Sequence, residues 1–208
     1  MKTIKWLIVL AIIMFTGCTA EVTPDFITTY HKAKLAQLSA DTNHYDVVFM
    51  GDSITDGGAF ESVLQNTKNA GISGDWITRT EEVIPYVRQY TPDKIYLMIG
   101  INSLKTFVYD ECVRQYRELI DMMLQAFPNT EIVLESVLPM ATDAPVIPLF
   151  NSFIRGLAEE KGLRYLDLYS LYAVEGKLPE EITVDGLHLT AEGYTKWYEV
   201  LRAENVAR

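Results

Sequence analysis

Cysteine is nearly absent: two in 208 residues, Cys18 and Cys112. With so few, a disulfide framework or a cysteine-ligated zinc site has nothing to build on. Basic runs are missing as well. Eighteen Lys and Arg face 28 Asp and Glu, a formal charge of −10, so nucleic acid is not an expected partner. There are three histidines, and nowhere do His, Asp and Glu cluster at ligand spacing, so no metal is expected. Long apolar runs are lacking too. The longest, residues 6–15, covers about 15 Å as a helix, half of a ~30 Å hydrocarbon core, which is too short for a span. What remains, 49% hydrophobic and 22% charged residues, is the composition of a folded chain of one domain.

The N-terminus is a different material. Lys2 and Lys5 precede the apolar run and Thr16-Gly17-Cys18 follows it. A charged start, a short apolar stretch and small residues read as an export signal. The ending at cysteine resembles a bacterial lipoprotein signal, in which Cys18 becomes the lipidated first residue. An ordinary cleaved signal, or a buried N-terminal helix with an incidental cysteine, accounts for the same residues. The expected organisation is a signal over 1–18, a tether and N-terminal helix over 19–44, with Pro24 at the helix start, and one domain over 45–208. The expected location is a bacterial cell envelope, with membrane contact only through the lipid.

From residue 45 onward, short apolar runs alternate with helical patterns. The runs are 45–50, 69–73, 94–99, 131–137 and 163–168. Between them, 108–127 places Cys112, Val113, Tyr116, Leu119, Ile120, Met123, Leu124 and Phe127 on one helical face. Cys112 therefore reads as a small core residue. Further helices are expected over 76–90, 146–161 and 190–206, the last with Thr190 as its N-cap. Such alternation predicts an α/β fold, a parallel sheet covered on both faces. Ligands then bind beyond the carboxyl ends of the strands.

The residues at those ends carry the chemistry. The first strand leads into Gly51-Asp52-Ser53. A serine there either caps the next helix or presents an exposed hydroxyl among backbone N–H groups. The second leads into Ser73-Gly74-Asp75, where a glycine admits a substrate to the backbone and offers its N–H. The third leads into Gly100-Ile101-Asn102-Ser103, and the Asn102 amide can donate a hydrogen bond. Ordinary turn chemistry explains both equally well. Just before the last helix comes Asp185-Gly186-Leu187-His188. A serine hydroxyl is a weak nucleophile until a base takes its proton, and a carboxylate fixes that base in the useful tautomer. Asp185 and His188 can meet locally on one loop. His31 and His44 read as surface or packing residues. No G-x-S-x-G elbow is present.

Ser53, Gly74, Asn102 and His188, in this order, resemble the four named residues of the SGNH (GDSL) hydrolase family. The resemblance covers residues 45–200 and is closer to secreted bacterial acylhydrolases of the platelet-activating-factor-acetylhydrolase and sialate O-acetylesterase type. It implies a flavodoxin-like, three-layer α/β/α sandwich of about five parallel strands. It implies Ser53 as nucleophile, His188 as base and Asp185 as its orienting acid, with Ser53, Gly74 and Asn102 forming the oxyanion hole. It implies no cofactor, and hydrolysis of short acyl esters, O-acetyl foremost, on carbohydrate. Lysophospholipid or thioester hydrolysis, acyl transfer and non-catalytic glycan binding stay open.

The chain departs from the family pattern twice. Ser103 stands where an Asp usually follows the third-block Asn, and Trp76 stands where a Thr commonly follows Gly-Asp. Trp76 and Phe107 are candidates for a substrate-contacting wall. Only 20 residues separate Ser53 from Gly74, too few for a lid domain. An open site of that kind suits a small acyl group on a hydrophilic carrier.

Overall fold

The computed structural model describes residues 24–206, so the expected signal and Cys18 lie outside the described residues. Five strands, β1 (Val47–Gly51), β2 (Thr67–Asn69), β3 (Lys94–Met98), β4 (Glu131–Glu135) and β5 (Arg164–Leu166), form one sheet. Their order is β2-β1-β3-β4-β5, and every pairing is parallel. Parallel neighbours need crossover connections, which here are helical. Helix α1 (Pro24–Ala40) precedes the sheet. Between β1 and β2 lie α2 (Ser53–Asp56) and α3 (Phe60–Val63), and between β2 and β3 lie α4 (Ile77–Thr80) and α5 (Ile84–Gln89). Next come α6 (Ile101–Thr106) and α7 (Tyr109–Ala126) before β4, and α8 (Val146–Lys161) before β5. Helices α9 (Leu168–Tyr172) and α10 (Ala191–Val206) follow it.

Alternation along each strand splits the core in two, because successive side chains leave opposite faces. Val48, Met50, Ile95, Leu97, Ile132 and Leu134 meet one helical layer, which contributes Leu38, Val87, Leu119 and Ile154. Phe49, Tyr96, Met98 and Val133 meet the other, which contributes Phe60, Tyr172, Trp197 and Leu201. This is the expected three-layer α/β/α sandwich. In the second layer Phe60, Phe49 and Tyr96 stack in series at centroid distances of 4.0 and 4.9 Å. On α7, Cys112, Tyr116, Leu119, Ile120 and Met123 are buried, with Phe127 buried just beyond its end, along the face the periodicity predicts.

Several boundaries differ from expectation, each for a local reason. The second strand is 67–69, not 69–73. Its polar Thr-Lys-Asn sequence sits on the sheet edge, where apolar patterning is not needed. The ladder nevertheless runs on into the expected segment, since the Ala70 and Ile72 amides donate to Phe49 O and Gly51 O. The expected helix over 76–90 is broken into α4, a 3₁₀ turn at Glu81–Val83, and α5, whose first turn holds Pro85. Proline has no N–H to continue the preceding hydrogen bonds. Strand β5 stops at Leu166 because Asp167 caps α9, accepting the Ser170 amide at 3.0 Å. Strand β4 stops at Glu135, and past it the Asn151 side chain exchanges two hydrogen bonds with the Val137 backbone, both at 2.9 Å. Thr190 acts as the expected cap, its Oγ1 accepting the Gly193 amide at 3.2 Å.

Candidate active site

The strand order reverses between β1 and β3: the chain leaves β1 for one side of the sheet and returns to the other. Connections at such a switch point diverge and leave a crevice at the carboxyl ends. Ser53 sits directly past β1, and Gly100 and Asn102 directly past β3.

Helix α2 is capped by Asp52, not by Ser53. Asp52 has extended backbone angles and its Oδ1 accepts the Ile54 amide at 3.0 Å. Ser53 is therefore released from capping, and its Oγ lies 2.8 Å from His188 Nε2, contributed from 135 residues further on. The other imidazole nitrogen, Nδ1, lies 2.6 Å from Asp185 Oδ2. Asp185 Oδ1 accepts the amides of Leu187 at 3.0 Å and His188 at 2.8 Å. Gly186 closes this turn at φ +87°, a conformation that side chains disfavour. Thr183 braces it by donating to His188 O at 2.7 Å while accepting the Gly186 amide at 3.0 Å. The acid and base thus form one self-contained turn.

These partners assign the tautomer. A carboxylate only accepts, so Nδ1 carries the proton, and Nε2 is left to accept from the Ser53 hydroxyl. Burial pushes the Asp185 carboxyl up, but hydrogen bonds from the His188 amide and imidazole outweigh it and hold Asp185 below its ordinary range. Burial drives the Asp52 carboxyl to about 7, with Asp75 and Asp56 adding to the rise and the Ile54 amide opposing it. Asp52 is buried beside the candidate nucleophile, and the cap pattern Asp-Ser at a helix start is the sequence signal that could have found it.

Past β2, Gly74 adopts φ +83°, and a Cβ there would lie 2.9 Å from Ile27 Cγ2. The Asp75 carbonyl accepts one Asn102 amide proton at 2.8 Å, which leaves the second proton of that amide for another acceptor. Ser103 is buried and its Oγ accepts the Ile77 amide, the first of α4, at 3.0 Å. A carboxylate at this position would do the same job, so the departure at Ser103 conserves the acceptor. Trp76 and Phe107 meet edge to face at 6.1 Å, and the Arg79 guanidinium lies over the indole at 4.6 Å.

Among the described residues, no group of three or more His, Cys, Asp and Glu side chains is placed to hold a metal. A cavity of about 380 Å³ opens between α8 and α9, lined by Asn151, Arg155, Asp167 and Tyr169 among others. None of Ser53, Gly74, Asn102, Asp185 and His188 lines it.

The profile of the GDSL-like Lipase/Acylhydrolase family matches residues 49–196. A multidomain esterase of Ruminococcus flavefaciens is 25% identical over 160 residues, covering 65% of this chain and 20% of that protein. The chain thus spans about one fifth of that relative's length. A Streptococcus pneumonia protein named for platelet activating factor superposes with a TM-score of 0.76 at 21% identity, over 86% of this chain and 94% of that one. An acetylxylan esterase from Geobacillus stearothermophilus superposes with a TM-score of 0.64 at 19% identity, over 79% and 95%. At such identities the two structures share a fold with this chain.

Proposed function

The chain belongs to the GDSL-like lipase/acylhydrolase family, and from that premise we propose that it is an ester hydrolase that removes short acyl groups, acetyl foremost, from a carbohydrate carrier through a Ser53–His188–Asp185 triad. The observation that carries this reading is the 2.8 Å approach of Ser53 Oγ to His188 Nε2, with Asp185 2.6 Å behind the imidazole. In the first step His188 takes the hydroxyl proton as Ser53 Oγ attacks the ester carbonyl. The new oxyanion is held by the Ser53 and Gly74 amides and the second Asn102 amide proton. His188 then protonates the departing alcohol, leaving an acyl-serine. Water, deprotonated by the same imidazole, releases the acid and restores Ser53.

The carbohydrate assignment draws on the acetylxylan esterase among the structural relatives and on the Trp76–Phe107 wall. Aromatic faces offer a flat apolar surface with modest ordering cost, suited to a sugar ring. The acyl-chain preference follows from the connections. A long chain needs a deep slot to gain roughly 0.8 kcal/mol per buried methylene, and the loops that border Ser53 are short. Across acetyl, butyryl, octanoyl and palmitoyl p-nitrophenyl esters, kcat/KM is expected to peak at acetyl. A maximum at octanoyl or beyond favours the lysophospholipase reading instead. Lipidation at Cys18, a cell-envelope location and membrane contact through that lipid alone belong to the same proposal.

Asn102→Ala is expected to lower kcat about 10²–10³-fold, the usual loss for one oxyanion donor. A change confined to KM makes Asn102 a residue that positions the substrate in the ground state.

A further inference from the structure

Asp75 stands between the two side-by-side donors of the proposed oxyanion hole. It directly follows Gly74, and its own carbonyl accepts an Asn102 amide proton at 2.8 Å. Whatever fixes Asp75 therefore fixes both. Its carboxylate is fully buried, with Oδ1 2.6 Å from His31 Nδ1 on α1. Oδ2 has no hydrogen-bond partner among the described residues, which leaves His31 as the group that orients this side chain. His31 is itself buried, and its Nε2 reaches Glu82 at 3.3 Å. The bond to Asp75 holds His31 protonated above its ordinary range, against the opposing cost of burial.

The same helix grips the rest of this loop. Ser73 donates through its amide and its hydroxyl to Asp56 Oδ2, at 3.1 and 2.6 Å. Asp56 in turn receives the Tyr30 hydroxyl at 2.7 Å and the Lys34 ammonium at 2.6 Å. Between these two anchor points Ile27 rests against Gly74. Residues 73, 74 and 75 are each held from α1.

We propose that His31 is a positioning residue for the oxyanion hole, keeping the Gly74 amide and the Asn102 side chain in register with Ser53 through its bond to Asp75. The inference rests on the reading of Gly74 and Asn102 given above. A charge-assisted bond between two buried groups is short and directional, and removing one partner strands the other's charge. A displacement of about 1 Å at a catalytic donor can cost up to ~10²-fold in rate.

The test compares His31→Ala, His31→Gln and His31→Asn in the full chain, by steady-state kinetics on p-nitrophenyl acetate with thermal melting alongside. The Asn amide nitrogen stands where Nδ1 stood, whereas the Gln nitrogen stands nearer to Nε2. Expected kcat losses are about tenfold or more for Ala and Gln with KM within about twofold, and Asn restores kcat to within about threefold of wild type. Repeated in an Asn102→Ala background, the His31→Gln loss is smaller than in the wild-type background, because one of the two donors it served is gone. If His31→Ala does not fold, the Asn and Gln pair decides. Unchanged kcat with a lowered melting temperature alone, equal losses in Asn and Gln, or fully additive losses in the double variant overturn the proposal. Should Asn102→Ala by itself leave kcat untouched, the oxyanion-hole reading falls instead.

Discussion

Ser53→Ala is expected to abolish turnover, lowering kcat by about 10⁴–10⁶-fold, while the protein melts within a few degrees of the wild type. The size of the effect follows from the role proposed for the hydroxyl: without it no acyl-enzyme forms, and the residual rate comes from substrate binding and the oxyanion donors alone. The small effect on folding follows from the division of labour at the start of α2. A cap serine contributes about 1–2 kcal/mol, but here Asp52 supplies that bond and Ser53 Oγ is directed at His188. Alanine is also a good residue for a first helical turn. Circular dichroism and a melting curve establish the fold, and initial rates on p-nitrophenyl acetate establish the activity. Near-wild-type hydrolysis by a folded Ser53→Ala protein would sink the triad.

Asp185→Asn is expected to lower kcat by about 10³–10⁴-fold with little change in KM. The turn itself survives, because the Asn side-chain oxygen can still accept the Leu187 and His188 amides that Asp185 Oδ1 accepts now. That constraint turns the new NH₂ group toward His188 Nδ1. Nδ1 must then accept, its proton moves to Nε2, and Nε2 can no longer take the hydroxyl proton of Ser53. The loss is one of tautomer, so it should be visible directly as an altered imidazole nitrogen shift pattern in ¹⁵N NMR. The depressed Asp185 carboxyl adds a pH signature. With a folded-state value below the ordinary one, its contribution is complete above that ordinary value and disappears only as pH falls through the depressed one. A variant with kcat within threefold of wild type would show that His188 needs no orienting acid.

The features legible in the sequence are those set by short-range pattern. The helix over 108–127 announced itself through its apolar stripe, and α7 buries that stripe. The inner strands read clearly because both of their faces are buried. Strand β2 did not, since an edge strand of Thr67, Lys68 and Asn69 carries no apolar signal. The helix expected over 76–90 breaks at Pro85, where the missing N–H interrupts the hydrogen bonds. In the site, Asp185 and His188 were legible because three residues suffice to bring them together. Ser53 was ambiguous until Asp52 proved to be the cap. The His31–Asp75 pair left no trace, since its partners are 44 residues apart and belong to no motif. Long-range pairing of that kind is a property of the packed fold, and spacing along the chain carries nothing of it.

The proposed base comes after every other proposed site residue along the chain. Ser53 lies on the first loop after the sheet begins, whereas His188 lies on the turn before α10, and the helix itself clasps the nucleophile loop. Tyr194 donates to Ile54 O at 2.7 Å, and Tyr198 accepts the Ala59 amide at 2.6 Å. A nascent chain that has left the ribosome only as far as residue 180 holds Ser53, Gly74 and Asn102, but not the His188 imidazole proposed to draw off the hydroxyl proton. On the proposed mechanism, the turn at 185–188 must be made and α10 must dock before any ester can be attacked. A stalled or clipped product ending short of that turn is expected to be inert on the proposed mechanism, however well its sheet has formed.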